Sequence, residues 1–214
     1  MTEKSQLDFR NTHLDSDLLS ASFNIQTNWC VITGSSCSGK TTLINILSSN
    51  GFQTVPEAGR IYFERELAKG RTITEIRDDP ATFTRQVYDI MQKHENGLRA
   101  NDINFLDRAL PDGFAFFRIA GLNPNEILPD CYHHRYAAVF LLNRLPYKKD
   151  GVRVADDETA EYLETWMLRD YDALGYEVIR VPVISPEERF EFVIEKLIAK
   201  GLIEHPDTNV KQGD

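Results

Sequence analysis

A glycine-rich segment of the form G-x-x-x-x-G-K-[ST] occupies residues 34–41 and reads GSSCSGKT. Its glycines let the backbone turn so that successive N–H groups face phosphate oxygens, and the following helix adds its partial positive charge. The lysine of such a loop reaches the β- and γ-phosphates of a nucleotide, and the next hydroxyl can bind Mg²⁺. The predicted nucleotide-binding residues are Gly34, Ser35, Ser36, Cys37, Ser38, Gly39, Lys40, Thr41 and Thr42. Thr41 is also a predicted metal ligand, and Lys40 is a predicted catalytic residue.

Two acidic residues follow apolar segments at positions suited to phosphoryl transfer. Asp107 ends the run INFLD, from which a carboxylate can reach Mg²⁺ at a neighbouring phosphate loop. Arg108 follows it, and an arginine there suits an anionic or phosphorylated acceptor. Glu57 and Arg60 lie in the segment VPEAGR, and either Glu57 or Asp107 could accept a proton from the acceptor. We therefore predict catalytic and acceptor-binding roles for Glu57, Asp107 and Arg108, acceptor binding for Arg60, and metal binding for Asp107.

A basic segment between residues 143 and 156 contains Arg144, Lys148, Lys149 and Arg153. These four cations fall within ten residues of a chain whose formal charge is −9. A loop at this place could close over a triphosphate and offer a guanidinium to the charge that develops during transfer. We expect Arg153 in this catalytic and nucleotide-binding role, with Arg144 as the alternative.

Apolar runs and amphipathic segments alternate from residue 29 onward, and they must position these side chains. Strands are predicted over 29–33, 52–55, 103–107, 137–142 and 176–181. Helices are predicted over 40–49 and 56–69, from Pro80 onward, over 112–121, before Gly175, and from Pro186 to Gly201. This alternation predicts an α/β fold of the P-loop NTPase type, with a five-stranded, mostly parallel sheet, helices on both faces and a lid loop. Ligands bind at the carboxyl ends of such strands, where all the candidate residues lie.

Composition and charge restrict the class of protein. The chain of 214 residues, with 42% hydrophobic and 27% charged residues, has the composition of a globular domain. We expect residues 1–27 to form an extension or edge element, 28–201 the nucleotide-binding domain and 202–214 a polar tail. The balance of 24 basic and 33 acidic residues disfavours nucleic acid and anionic lipid as partners. The longest apolar run, 136–142, is too short to span a bilayer, and the N-terminus lacks a signal-peptide pattern, so we expect a cytoplasmic protein.

Two other groups of residues are assigned no chemistry. The chain has 3 cysteines, which fits free thiols in a reducing compartment. Cys131, His133 and His134 lack the spacing of a zinc site, so no metal is expected there. The aromatic cluster at 114–117 is interpreted as core packing rather than as a surface that stacks a base.

The ordered set of segments resembles a known family, the NadR-like P-loop group of AAA-type ATPase or kinase domains that includes the ribosylnicotinamide kinase module. The resemblance runs from Cys30 to Leu197 and rests on GSSCSGKTTL, VPEAGR, FLDRALPD, VFLL, DGVRVADDETA, LGYEVIRVPV and SPEER. It implies a nucleoside-kinase-like fold that uses ATP with Mg²⁺. It also implies an acceptor near Glu57, Arg60, Asp107 and Arg108, with Arg153 in the position of the family's lid arginine.

The sequence leaves two functions open. The first is a Mg²⁺-dependent phosphotransferase that moves the γ-phosphate of ATP to a small, nucleoside-like or phosphorylated acceptor. The second is a regulatory switch or slow NTPase that binds ATP or GTP and signals by loop closure. The N-K-x-D pattern that reads guanine is absent from the sequence, which favours ATP over GTP.

Overall fold

A parallel sheet of five strands forms the centre of the computed structural model, which describes residues 8–145 and 157–204. In chain order the strands are β1 (Ile25–Gln26), β2 (Cys30–Thr33), β3 (Gln53–Val55), β4 (Asn104–Asp107), β5 (His134–Arg135), β6 (Ala138–Leu142) and β7 (Val178–Val181). The α-helices are α1 (Lys40–Ser49), α2 (Ala58–Ala68), α3 (Ile73–Arg77), α4 (Pro80–Asn96), α5 (Asp112–Ile119), α6 (Asp157–Ala173) and α7 (Pro186–Ala199). Three short 3₁₀ helices cover Leu18–Ser20, Pro124–Glu126 and Pro129–Tyr132.

The strand order of the sheet is β3-β4-β2-β6-β7, and every neighbouring pair is parallel. The central strand β2 pairs with β4 and β6, and all four of its residues are buried. Five strands that run in one direction bring their carboxyl ends to one edge, as a parallel sheet requires. The predicted α/β class and the five-stranded parallel sheet are confirmed.

Helices cover both faces of the sheet, as predicted, because side chains alternate along each strand. On β2, Val31 packs with the core beneath α2, α4 and α5, whereas Cys30 and Ile32 pack with α1 and α7. A strand buried on both faces reads as a continuous apolar run, which is the pattern of β2 and β6. No helix of residues 8–145 and 157–204 has the length and apolar character needed to cross a membrane.

Two parts of the fold were not predicted from the sequence. Strand β1 pairs in parallel with β5 in a separate two-stranded sheet, so residues 25–26 lie beside 134–135. Helix α3 is only 5 residues long and begins with a capping box between Thr72 and Glu75. Both elements are shorter than the window in which a hydrophobic period can be recognised. The basic segment that we predicted as a lid lies outside the described residues from position 146 to position 156.

A buried ion pair attaches the N-terminal segment to α5 and α6. The guanidinium of Arg118 donates to both carboxylate oxygens of Asp170, at 2.6 and 2.8 Å, and to the carbonyl of Thr12 at 2.7 Å. It also lies 3.9 Å from the centre of the Trp166 ring. Burial raises the pKa of Asp170 to about 6, although Arg118 opposes this shift. Asp170 therefore depends on Arg118 to remain charged in the core.

Replacing Arg118 with methionine should leave the Asp170 carboxylate buried without its partner. We expect Arg118→Met to lower the free energy of unfolding by about 3 to 5 kcal/mol in urea titrations at neutral pH. The control Arg99→Met removes an exposed guanidinium and should change this free energy by less than about 0.5 kcal/mol. Adding Asp170→Leu to Arg118→Met should restore part of the loss, and no recovery would contradict a penalty from the unpaired charge.

Candidate functional site

The phosphate loop connects the end of β2 to the start of α1 and has a strongly turned backbone. Gly34, Cys37 and Gly39 have positive φ angles of 135°, 60° and 91°. A Cβ atom on Gly34 would lie 2.9 Å from the carbonyl oxygen of Leu142, closer than real Cβ contacts come. The neighbouring strand β6 therefore requires glycine at the first position of the loop.

Lys40 lies buried inside this loop, at the first turn of α1. Its Nζ donates to the Ser35 carbonyl at 2.7 Å and lies 3.4 Å from the Ser38 hydroxyl. Burial and the charge of Arg108 together lower the pKa of Lys40 to about 8, while Asp107 and Glu57 oppose the shift. The Ser35 hydroxyl is buried and has no hydrogen-bond partner within the described chain. The loop thus holds a cation and an uncommitted hydroxyl where phosphate oxygens are expected.

Arg189 of α7 joins the phosphate loop to two neighbouring loops. Its guanidinium donates to the Ser38 carbonyl, to the Pro182 carbonyl at 3.0 Å and to the Asn143 carbonyl at 3.3 Å. A Cβ atom on Gly39 would lie 2.8 Å from this guanidinium, so glycine leaves the space that Arg189 fills. Arg189, in the segment SPEER, was not predicted as a site residue from the sequence.

Asp107 ends β4 beside the phosphate loop, opposite Ile32 in the sheet. Its side chain is buried, and its Oδ1 atom has no hydrogen-bond partner in residues 8–145 and 157–204. Burial and the charge of Glu57 together raise the pKa of Asp107 to about 6, while Arg108 and Lys40 oppose the shift. An unpartnered carboxylate oxygen next to two cations is suited to a metal ion or a proton.

Arg108 occupies the left-handed region, with φ at 73°, which is uncommon outside glycine. Its N–H donates to the Ile32 carbonyl at 3.1 Å. Its guanidinium lies 3.5 Å from Glu57 and 3.5 Å from Asp112, and 5.0 Å from the centre of the Phe116 ring. The side chain of Arg108 thus lies against Glu57 and Asp112, whereas the side chain of Asp107 is buried beside the phosphate loop.

A cavity of about 590 Å³ opens beside the phosphate loop, between α2, α3, α4 and α5. Its lining includes the loop residue Ser36 and three of the four predicted acceptor-binding residues, Glu57, Arg60 and Arg108. Asp107 is not part of this lining and instead borders a very small neighbouring cavity. The other lining residues are Gly59, Phe63, Arg77, Phe83, Thr84, Val87, Tyr88, Met91, Gly113 and Phe116.

Phe116 differs from its sequence interpretation as a core residue, because it is half-buried and lines the cavity. Its neighbours Phe114 and Phe117 are fully buried, as expected. The wall residues Phe63, Phe83 and Arg77 were missed because they belong to separate helices, and only the tertiary fold brings them together. No sequence signal within α2, α3 or α4 distinguishes them from ordinary packing residues.

The remaining predicted nucleotide ligands lie at the surface of the loop or outside the described residues. Ser36, Cys37, Thr41 and Thr42 are exposed at the phosphate loop and the start of α1. Arg153 lies outside the described residues. Its predicted alternative, Arg144, lines a second cavity of about 290 Å³ together with Glu161, Glu164, Thr165, Leu168, Arg169 and Arg180.

The residues at the loop fit a Mg²⁺ ion that is held partly by a nucleotide. Among the described residues, no group of three His, Cys, Asp or Glu side chains is arranged to hold a metal. The unpartnered oxygen of Asp107 and the exposed hydroxyl of Thr41 nevertheless provide hard oxygen ligands. Mg²⁺ typically uses one or two protein oxygens and completes its shell with phosphate oxygens and water. Asp107 and Thr41 together match that pattern.

Comparison with known proteins supports this assignment of the fold. A family model described as AAA domain matches residues 29–189. The solved structure of NadR protein in complex with NR has 20% identity and a TM-score of 0.57, with 83% of this chain and 52% of that chain covered. This chain therefore spans about half the length of that NadR chain. A comparison with curated proteins found no match.

Two further solved structures have a similar fold. Deoxyadenosine kinase from M. mycoides, solved with products dCMP and dCDP, has 17% identity and a TM-score of 0.56, with 80% of this chain and 98% of that chain covered. Thymidylate kinase from Candida albicans has 17% identity and a TM-score of 0.52, with 82% and 93% covered. At such low identities these likenesses concern the fold.

Because the pKa of Asp107 is raised in the folded protein, its charged carboxylate lowers the free energy of unfolding at neutral pH. An acid whose pKa rises from 3.8 to about 6 on folding binds its proton more tightly in the folded state, so stability falls as the pH rises through this range. We expect Asp107→Asn to be more stable than the wild type by the order of 2 kcal/mol at pH 8, and to lose this advantage near pH 4. Urea unfolding at both pH values tests this.

The control for this measurement is Asp89→Asn, which removes an exposed carboxylate from α4. We expect it to show no comparable difference between pH 8 and pH 4. If the free energy of unfolding of Asp107→Asn differs from that of the wild type by the same amount at both pH values, the burial of a charged Asp107 does not cause the difference.

Proposed function

The chain belongs to the AAA domain family, and from this premise we propose that it transfers the γ-phosphoryl group of ATP to a small, ring-bearing acceptor. One observation carries the proposal: the cavity of about 590 Å³ shares the edge residue Ser36 with the phosphate loop. A molecule in this cavity would lie next to phosphates held by the loop. The volume falls within the roughly 300–1,000 Å³ typical of small-molecule sites.

The phosphate loop would bind the triphosphate of the donor. Lys40 and the turned backbone of residues 34–39 supply positive charge and N–H donors, and the Ser35 hydroxyl is uncommitted. Thr41 and Asp107 would hold Mg²⁺, which when bound neutralises phosphate charge. Releasing Lys40 from the Ser35 carbonyl to a phosphate would replace a neutral acceptor with a charged one, which strengthens the hydrogen bond.

Glu57 is the residue best placed to take the acceptor proton. It lines the cavity and is about one-third exposed, whereas Asp107 is buried outside that lining. Position in reach of the acceptor is the first requirement for a general base. Arg108 lies 3.5 Å from Glu57 and orients it. We therefore propose that Glu57 acts as the base and Asp107 as the metal ligand.

The proposed step forms a bond between an acceptor oxygen and the γ-phosphorus. The bond from the γ-phosphorus to the oxygen that bridges it to the β-phosphate breaks, and ADP leaves with that electron pair. The acceptor proton passes to Glu57 and then to water. Lys40 would lie beside the phosphates and Arg108 beside the acceptor, so most of the rate enhancement would come from positioning and charge neutralisation.

The cavity favours a phosphotransferase over a regulatory switch. A switch that binds and slowly hydrolyses a nucleotide needs the phosphate loop and a responsive segment, but no second site for a small molecule. Here the second site is lined by aromatic and charged side chains. These residues are suited to recognition of a substrate, which explains their position next to the phosphate loop.

A product screen tests the proposed activity directly. Purified protein with Mg²⁺ and either ATP or GTP is incubated with nucleosides, nucleotides and cofactor precursors, and products are identified by mass. We expect one acceptor class to gain a single phosphoryl group with equimolar ADP formation. Binding of ATP that changes protease sensitivity, without any phosphorylated product, would instead favour the switch.

Lys40 should dominate ATP affinity because its charge meets the β- and γ-phosphates. Lys40→Ala should weaken ATP binding by about 2 kcal/mol, which is roughly thirtyfold in the dissociation constant measured by calorimetry. The control Lys93→Ala removes an exposed lysine from α4 and should leave ATP affinity unchanged. Equal affinities of the wild type and Lys40→Ala would refute the phosphate-loop assignment.

Glu57 and Asp107 should differ in the kinetic parameter that each controls. Glu57→Gln should lower kcat about 10²- to 10⁴-fold with little change in ATP affinity, because it removes the base. Asp107→Asn should chiefly raise the Mg²⁺ concentration needed for half-maximal rate. Glu64→Gln on the exposed side of α2 is the matched control. The reverse result would identify Asp107 as the base. In that case Asp107→Asn would lose more kcat than Glu57→Gln, and its Mg²⁺ requirement would equal that of the wild type.

A further inference from the structure

The cavity beside the phosphate loop has an excess of positive charge in a chain that is acidic overall. Three arginines line it, Arg60, Arg77 and Arg108, against a single lining carboxylate, Glu57. The whole chain has a formal charge of −9, so three arginines against one acid depart from its average composition. A ligand of opposite charge is the simplest chemical match for such a local excess.

The three arginines differ in how their charge is balanced. Arg108 lies 3.5 Å from both Glu57 and Asp112, so carboxylates of the protein already compensate it. Arg60 and Arg77 have no carboxylate within 4 Å in the described part of the chain, and both are exposed. Two guanidinium groups at the cavity are therefore available to an anion.

Neighbouring arginines outside the cavity are balanced by acids. Arg65 and Arg71 each contact Glu66, at 3.4 and 3.3 Å, and Arg85 contacts Glu126 at 2.7 Å. These pairs lie on or next to α2 and α4, the helices that form the cavity wall. Arg60 and Arg77, by contrast, line the cavity with no such carboxylate partner among the described residues.

Aromatic side chains form another part of the same cavity. The rings of Phe63 and Phe83 are 5.1 Å apart, and Phe116 lies under the Arg108 guanidinium. Arg77 lies 5.6 Å from the centre of the Phe63 ring, so one of the available cations adjoins an aromatic wall. Such walls bind flat ring systems by offset stacking or edge contacts. The cavity therefore combines a surface for a ring with cations for an anionic group.

We infer that the acceptor is a ring-bearing phosphate monoester of the nucleoside monophosphate class, rather than a neutral nucleoside. This inference rests on the proposed phosphotransfer, whose acceptor class it specifies. A hydroxyl of the acceptor is the nucleophile that gives its proton to Glu57, and the phosphate already present on the acceptor is the anion that the arginines bind. A phosphate monoester carries a charge of about −1.5 to −2 at neutral pH, which two guanidiniums balance. Arginine also presents a fork of donors that matches phosphate oxygens. An acceptor with a single carboxylate instead of the phosphate would leave one of the two guanidiniums without a counter-charge.

Calorimetry with matched ligand pairs tests this inference independently of turnover. Each nucleoside and its 5′-monophosphate are titrated into the full chain while a non-hydrolysable ATP analogue occupies the phosphate loop. We expect one base type for which the monophosphate binds at least about tenfold more tightly than its nucleoside. Arg60→Gln and Arg77→Gln should each reduce this preference, and Lys93→Gln on the exposed side of α4 should not.

The outcomes separate this inference from the proposed activity. Nucleosides that bind as tightly as their monophosphates, or a preference that survives both arginine substitutions, would overturn the inference even if a nucleoside is phosphorylated. An aromatic carboxylate that binds as tightly as the monophosphate would also overturn it. Arginine-dependent binding of a monophosphate without any phosphorylated product would support the anion site and refute the phosphotransfer.

Discussion

The carboxylate of Asp112 is fully buried, and the arrangement of the whole site depends on how its charge is satisfied. It accepts hydrogen bonds from the Thr33 hydroxyl at the end of β2, from the Ala109 N–H at 2.9 Å and from the Tyr171 hydroxyl of α6 at 2.9 Å. It also lies 3.5 Å from Arg108, whose backbone is in the left-handed region. A buried charge without such partners would cost several kcal/mol. The same set of contacts therefore fixes the strand ends, α6 and the cavity arginine in one geometry.

The parts of this protein that could be predicted from sequence are those whose signals are local. The phosphate loop is defined by eight consecutive residues, 34–41, and α1 begins and ends where its pattern indicates. The buried strands β2 and β6 read as apolar runs because both of their faces are covered. Arg189 and Asp112 could not be assigned in the same way, since the partners that join them to other elements are distant in sequence. Of the residues that line the cavity, only Glu57, Arg60 and Arg108 were predicted from the sequence to bind the acceptor, because they follow strand ends.

The two carboxylates near the phosphate loop show how one fold gives similar groups different properties. Asp107 is buried with an unpartnered oxygen, and its pKa rises to about 6. Glu57 is partly exposed at the cavity and lies beside Arg108. Burial favours the neutral form of an acid, and it outweighs the opposing charges of Arg108 and Lys40 at Asp107. The guanidinium of Arg108 meanwhile makes its ion-pair contact with Glu57, at 3.5 Å. The resulting cost to stability is of the kind often found at functional sites.

The contact between Arg189 and the phosphate loop makes the completion of this loop a late event in the synthesis of the chain. Arg189 stands 151 positions after Ser38, whose carbonyl it holds. Ribosomes add about 5–20 residues per second, so the stretch from Ser38 to Arg189 takes roughly 8 to 30 s to synthesise. The loop is complete in sequence throughout that interval, yet β6, which packs against Gly34, and then α7 are still to come. A nascent chain therefore completes the set of contacts around its phosphate loop only after α7 has emerged, since the Ser38 carbonyl lacks Arg189 until then.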